Sequence, residues 1–283
     1  LLLLSGNAFA GGENQPVGGR RISLGNAYTG VRGDFWAMYA NPAGLAGMKD
    51  MQAGVFFERR FLLQELNLGT AAFAMPFKTR HVAGVNFGGY GFGGYSETNV
   101  ALSYAASILD NLSLGVKMHY LRASIMGYGA TGAFVVDAGL NAQIAKGLTV
   151  GFSGYNINQA RLNATQIDGN KDQIPSTLSL GLAYQASDKV MLVADMERQV
   201  NYPYSFRGGI EYAILPILKA RVGAGTAPVI FNAGLGLTIK HLDIDWANSY
   251  HQLLGYTPSL SLSYRFAKKV QPKDADLTPE GAQ

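Results

Sequence analysis

The chain has 283 residues, no cysteine, 36 glycines, 14 Phe, 15 Tyr, 15% charged residues and a formal charge of +4. That length fits one large domain or two small ones, and the lack of cysteine excludes disulfides, thiolate metal sites, iron–sulfur clusters and cysteine nucleophiles. A hydrophobic fraction of 48% argues against general disorder, and with no basic run longer than two residues nucleic acid is not expected as a partner.

Residues 1–10 read as the end of a secretory signal peptide, with Ala8 and Ala10 fitting the small-x-small cleavage rule and a mature start near Gly11. Beyond them no apolar run approaches the ~18 residues of a transmembrane helix. Residues 11–51 show no alternation. Within them Asn41 followed by Pro42 is a good helix start, Asn as cap and Pro at the first position, leading into Ala43, Gly44 and Leu45.

From residue 52 to 266 the hydrophobic period is two, the mark of strands with one apolar and one polar face. Leu112, Leu114, Val116, Met118 and Tyr120 alternate with Ser113, Gly115, Lys117 and His119, and the pattern recurs around Leu178–Gln185 and Leu260–Phe266. Turn signals divide the region into fourteen strands near 52–59, 65–74, 81–88, 95–108, 111–123, 131–144, 148–157, 176–186, 189–199, 204–214, 217–225, 229–239, 241–250 and 258–266. Most reach the ~9–11 residues that a tilted strand needs to cross a bilayer. Tight links such as Ala145–Gly147 and Ser187–Asp188 alternate with longer ones at 88–95, 122–130 and 158–175, so short turns are expected on one rim and longer loops on the other.

The expected fold is therefore all-β: a 14-stranded antiparallel transmembrane β-barrel at 52–266, with 11–51 as a short helical or irregular plug and 267–283 as a disordered periplasmic tail. A soluble β-sandwich is the competing fold. Two aromatic girdles are expected, Tyr184, Tyr212, Tyr264 and Phe266 at the short-turn rim and Tyr120, Tyr155, Phe206 and Trp246 at the other. Glycines at 115, 139, 151, 181, 209 and 223 fall on the polar face and leave room for the plug.

The polar face carries Asp195, Glu197, Arg207, Glu211, Lys219, Arg221, Asp243, Asp245 and Arg265, together with Lys117, His119 and Asp137. Counting through the hairpins sets Glu197 opposite Arg207, Glu211 beside Lys219 and Arg221, and Arg265 beside Asp243 and Asp245. Opposite charges across strands stabilise a lumen without implying a substrate path.

Motifs for chemistry are sparse. Gly89–Gly94 matches GxGxxG, but a strand rather than a helix follows it, so a hairpin loop is the better reading. Asp168, Asn170 and Asp172 open like a calcium loop that lacks the glycine at its sixth position and the glutamate at its twelfth. The four histidines show no metal-ligand spacing, and Ser113 and His119 lie too far apart along one strand face to form a catalytic pair. No enzyme activity, metal or cofactor is expected.

Two stretches carry a family resemblance. Gly19–Tyr28 with Trp36–Ala46, which includes Asn41, Pro42, Ala43, Gly44 and Leu45, is similar to the N-terminal signature of the FadL-like barrels. Phe206–Tyr212, Arg221–Gly225, Ala233–Gly236 and His251–Phe266 resemble the closing strands of the PorV/PorQ group of type IX secretion. The resemblance implies a fourteen-stranded barrel in the outer membrane of a Gram-negative cell, in contact with its lipid. It also implies one of two roles. In the leading reading the protein is a secretion-associated component with a translocon or secreted cargo as partner. The alternative is a FadL-like transporter of hydrophobic small molecules. The longest loop is polar, which disfavours a large apolar capture surface.

Overall fold

A strand with one apolar and one polar face is stable only where the two sides of its sheet meet different surroundings, and a closed sheet in a bilayer supplies both. In the computed structural model, which describes residues 12–162, 173–200 and 202–266, the strands are β1 (Met51–Arg59), β2 (Asn67–Phe77), β3 (His81–Gly91), β4 (Tyr95–Ser107), β5 (Leu112–Ile125), β6 (Gly129–Ala145) and β7 (Leu148–Tyr155), then β8 (Thr177–Gln185), β9 (Val190–Gln199), β10 (Tyr204–Leu215), β11 (Leu218–Thr226), β12 (Val229–Ile239), β13 (Leu242–His251) and β14 (Gly255–Phe266). Each pairs antiparallel with its chain neighbours, and β1 closes on β14 in the register Met51↔Phe266 to Glu58↔Ser259. The signal remnant at 1–10, the cleavage point at Gly11, the calcium-like run Asp168–Asp172 and the tail at 267–283 lie outside the described residues.

The apolar face points outward. On β5 Leu114, Val116, Met118 and Tyr120 are exposed, while Ser113, Lys117 and His119 are buried inside. On β8 Leu178, Leu180, Leu182 and Tyr184 face out, and Gly181 and Ala183 face in. Repeated on strand after strand, this makes an apolar belt that no water-facing surface of this size carries. It is the outer surface of a transmembrane barrel.

Two girdle assignments are corrected. Tyr155 is 8% exposed and points into the lumen, where its hydroxyl donates to the Gly12 carbonyl at 2.9 Å. Trp246 faces lipid midway along β13 rather than near a rim. The rim contrast is also weaker than expected. β3, β5 and β6 run on past the turn signals, leaving 92–94 and 126–128 as the links, and only 60–66 and 156–176 are long. Above Tyr155 the edge of β6 has no strand partner among the described residues. There the Asn158 side chain takes the place of a peptide group, donating to the Phe134 carbonyl and accepting from Val136 N–H, both at 3.0 Å.

A barrel of this size encloses more space than its own inward side chains fill. The N-terminal segment occupies it. One cluster joins Ile22, Phe35, Trp36, Met38 and Leu45 to Phe56, Leu68, Ala74 and Val82, and a second joins Leu24, Ala27, Tyr28 and Val31 to Ala183, Met191 and Val193. Tyr28 and Leu45 are fully buried, and Leu45 contributes about 2 kcal/mol by removing its apolar surface from water. The lumen glycines make this packing feasible. A Cβ at Gly115 would strike the Pro42–Ala43 backbone, one at Gly139 the Asn41 side chain, one at Gly151 or Gly181 Thr29, and one at Gly209 or Gly223 the Leu24–Gly25 backbone.

Replacing Gly223 by leucine is therefore expected to push the segment off the wall while leaving the strand ladder closed. Limited proteolysis should then cut within 12–50, and heat-modifiable mobility on a gel should persist. Undiminished protection of the segment would refute the packing argument.

Candidate functional site: the plugged lumen

The N-terminal segment runs from an extended strap at 12–17 into a helix of a single turn, α1 (Gly19–Ser23), then through two 3-10 turns, Phe35–Tyr39 and Pro42–Leu45. Local chemistry sets both 3-10 turns. The Asp34 carboxylate accepts from Trp36 N–H at 2.9 Å, and Asn41 Oδ1 accepts from Ala43 N–H at 3.1 Å, with Pro42 at the first position. Asn41 and Pro42 thus begin a helical turn, but one of only four residues. The Asn41 amide also donates to the Thr29 carbonyl at 2.8 Å and to Asn141 Oδ1 at 2.7 Å. Pro42, Ala43, Gly44 and Leu45 are all buried, Gly44 against Ala37 and the Val31 carbonyl. These five residues hold the segment against the wall.

The nine lumen charges form separate groups rather than one network. Asp195 Oδ2 accepts from the backbone N–H of Tyr28 (2.8 Å) and Thr29 (2.9 Å) and from the Thr29 hydroxyl (2.7 Å). Glu211 receives Arg20 through two hydrogen bonds (2.7 and 2.9 Å), Arg221 at 2.7 Å and Lys219 at 3.1 Å. Arg221 continues to Asp245 at 2.6 Å, and Arg20 continues to Asp34 at 2.8 Å. Three cations and three carboxylates therefore balance across the junction of plug and wall. Glu197 pairs with Arg207 (2.8 and 3.0 Å) and Arg265 with Asp243 (3.1 Å), each apart from that chain.

Register explains what differs from the expectation. Arg207 lies directly opposite Asp195, yet its long side chain reaches diagonally to Glu197, while Asp195 Oδ2 takes the donors of Tyr28 and Thr29. Asp245 is taken by Arg221, and Arg265 pairs with Asp243, which also accepts from the Thr238 hydroxyl at 2.6 Å. Sequence reasoning missed Arg20, Arg21 and Asp34. Their signal was three charges in a segment that otherwise reads as buried. Arg21 is 3% exposed and donates to the Tyr39 carbonyl at 2.9 Å; burial pulls its guanidinium down to about 10, so it stays protonated at neutral pH. Lys117, His119 and Asp137, read on the polar face from the sequence, form a further group with Asn99: His119 Nδ1 meets the Asn99 amide at 2.8 Å and His119 Nε2 lies 3.3 Å from Asp137, with the Lys117 ammonium 3.8 Å from the same carboxylate. No set of residues able to hold a metal ion occurs among the described residues.

The plug divides the lumen. On the long-loop side lies a cavity of about 630 Å³ bounded by β8–β14, β1 and their loops, with Ile22 and Asn26 of the plug among its lining. On the short-turn side lie two cavities of about 360 and 390 Å³, both lined by Arg20. The segment separates the two sides, with Ile22 and Asn26 lining one and Arg20, Val31, Phe35 and Trp36 lining the other.

No family model matches the chain, and no curated protein sequence matches it. Solved structures do match. A Pseudomonas aeruginosa FadL homologue aligns with a TM-score of 0.67 at 13% identity, covering 91% of this chain and 100% of the other. The chain has the fold of the FadL-type outer-membrane barrels. The toluene transporter TodX of Pseudomonas putida aligns with a TM-score of 0.64 at 11% identity, over 87% of this chain and 96% of its own. A deltaS2 mutant of TodX, described as a monoaromatic hydrocarbon channel, reaches 0.68 at 12% identity over 91% and 100%.

The ion pairs should differ sharply in worth. Glu211→Ala removes the carboxylate shared by Arg20, Arg221 and Lys219, leaving three cations with only Asp34 and Asp245, and is expected to cost about 3–5 kcal/mol. Asp110→Ala removes an exposed partner of Arg80 and should cost under about 1 kcal/mol. Denaturant unfolding of both variants in the same detergent checks the ranking.

Proposed function

We propose that the chain is an outer-membrane channel for small solutes, in which the N-terminal segment is the gate. The observation that carries this reading is the space in the lumen: a cavity of about 630 Å³ on one side of the N-terminal segment and two of about 360 and 390 Å³ on the other. A volume of that size is typical of small-ligand sites. Two of the proteins that share the fold, a toluene transporter and its monoaromatic hydrocarbon channel mutant, support the same reading. The outward apolar belt meets the lipid, and the lumen carries the solute.

The charge arrangement suits a movable gate. Arg20 joins the plug to the wall through Glu211, yet Glu211 also holds Arg221 and Lys219. When Arg20 leaves, that carboxylate keeps two cations, so opening does not strand a bare buried charge.

A secretion partner of the PorV/PorQ type is the second reading. It is favoured by a filled lumen and by the exposed Leu62, Leu63, Leu253 and Leu254 on two outer links. Against it, most links on that rim are too short to build a broad docking face.

Arg20→Ala is expected to raise single-channel conductance in planar bilayers several-fold over the wild type and to increase solute uptake into proteoliposomes. Ile22→Ala, on the other face of α1, should act in the same direction. Currents and uptake unchanged in both variants would sink the gate and leave the partner reading in its place.

A further inference from the structure

The lipid-facing wall carries charge at one end and of one sign. On the fourteen strands every aspartate, glutamate and lysine belongs to the inward face, and the outward face holds three arginines, Arg59, Arg122 and Arg198. Arg59 continues the exposed face of Val55 and Phe57, Arg122 that of Met118 and Tyr120, and Arg198 that of Leu192 and Met196. Each stands near the end of a strand that runs toward the long-loop rim, β1, β5 or β9. At the short-turn end no strand carries an outward arginine, lysine or carboxylate.

The two faces also differ in pairing. Every inward lysine or arginine on a strand, Lys117, Arg207, Lys219, Arg221 and Arg265, has a carboxylate within 3.8 Å. None of the outward three has one at ion-pair distance among the described residues. Arg59 donates to Asn67 Oδ1 at 3.5 Å, and Arg198 donates to the Tyr204 hydroxyl at 2.8 Å with its guanidinium 4.9 Å from the ring centre. Arg122 faces Thr98 and Gly132 across the sheet.

Aromatic rings set the depth of these side chains. Phe57 and Tyr120 lie two residues below Arg59 and Arg122 on the same face, and Tyr204 lies against Arg198. Rings on a barrel's outer face settle at the boundary between hydrocarbon and headgroups, so the guanidiniums stand at the level of the lipid phosphates. A guanidinium's planar fork of N–H groups matches a phosphate bidentately, and beside hydrocarbon that attraction is stronger than in bulk water.

We propose that Arg59, Arg122 and Arg198 are docking points for the phosphate groups of anionic lipid in the leaflet at the long-loop rim. Four strand spacings of about 4.8 Å or more separate one arginine from the next, so each takes its own headgroup. The lipid supplies the counterion that the wall leaves out, whatever passes through the lumen.

The test uses the full chain in micelles of an uncharged detergent and two lipids with the same acyl chains, phosphatidic acid and diacylglycerol, which differ only in the phosphate. Native mass spectrometry counts the lipids retained. The wild type is expected to keep up to three phosphatidic acids, at least tenfold above diacylglycerol. Arg59→Gln, Arg122→Gln and Arg198→Gln should each remove one. The triple variant, checked for folding by heat-modifiable mobility, should bring the ratio of the two lipids within twofold. Arg80→Gln, at the short-turn rim with Asp110 as its partner, should change nothing. Equal retention of the two lipids by the wild type would overturn the proposal. So would phosphatidic acid kept in full by all three single variants, or lost as much in Arg80→Gln as in them.

Discussion

The structure depends on bringing one stretch of backbone into direct contact with another across the barrel lumen. A fourteen-strand wall encloses too wide a space for its own side chains, and here the filling is a peptide segment rather than larger residues. Such contact is feasible only where the wall has no Cβ. Gly115, Gly139 and Gly151 accommodate one part of the segment, and Gly209 and Gly223 the part around Leu24 and Gly25. The wall is therefore shaped to the segment residue by residue.

Close contact creates a second demand, because segment backbone placed inside the lumen loses water and must find partners. Wall side chains supply them. Asp195 accepts the N–H groups of Tyr28 and Thr29, the Ser261 hydroxyl accepts Gly19 N–H at 3.0 Å, and Asn141 donates to the Val31 carbonyl at 3.1 Å. Polar residues that would be liabilities in a soluble core thus serve as the segment's missing secondary structure. This also explains why so short a helix persists. α1 has five residues and no side-chain cap, far below what is stable alone, and the wall holds it in place. Tertiary contacts that hold a marginal helix can also release it.

The alternation was legible because a bilayer barrel imposes the strictest two-residue period available, with lipid on one side and lumen on the other. Strand positions and the facing of Leu114, Val116 and Met118 follow from it directly. Charge pairing was legible only to the nearest neighbour. Glu211 and Arg221 are true register partners, whereas Arg207 reaches past Asp195 to Glu197, since a long side chain spans two positions. Tyr155 was misplaced for a related reason: a tyrosine at a strand end suits a membrane interface or a buried carbonyl equally well, and Gly12 supplied the carbonyl.

By itself, then, the sequence determined the number of strands, their polarity and the presence of a non-alternating segment ahead of them, because these are local properties of spacing and turn chemistry. Only the tertiary structure decided which wall residues that segment rests on, that Arg20 and Glu211 join it to the wall, and how it divides the lumen. Those contacts link residues up to 242 positions apart. They depend on which side chain reaches a partner first once the barrel has closed, and no local pattern records that outcome.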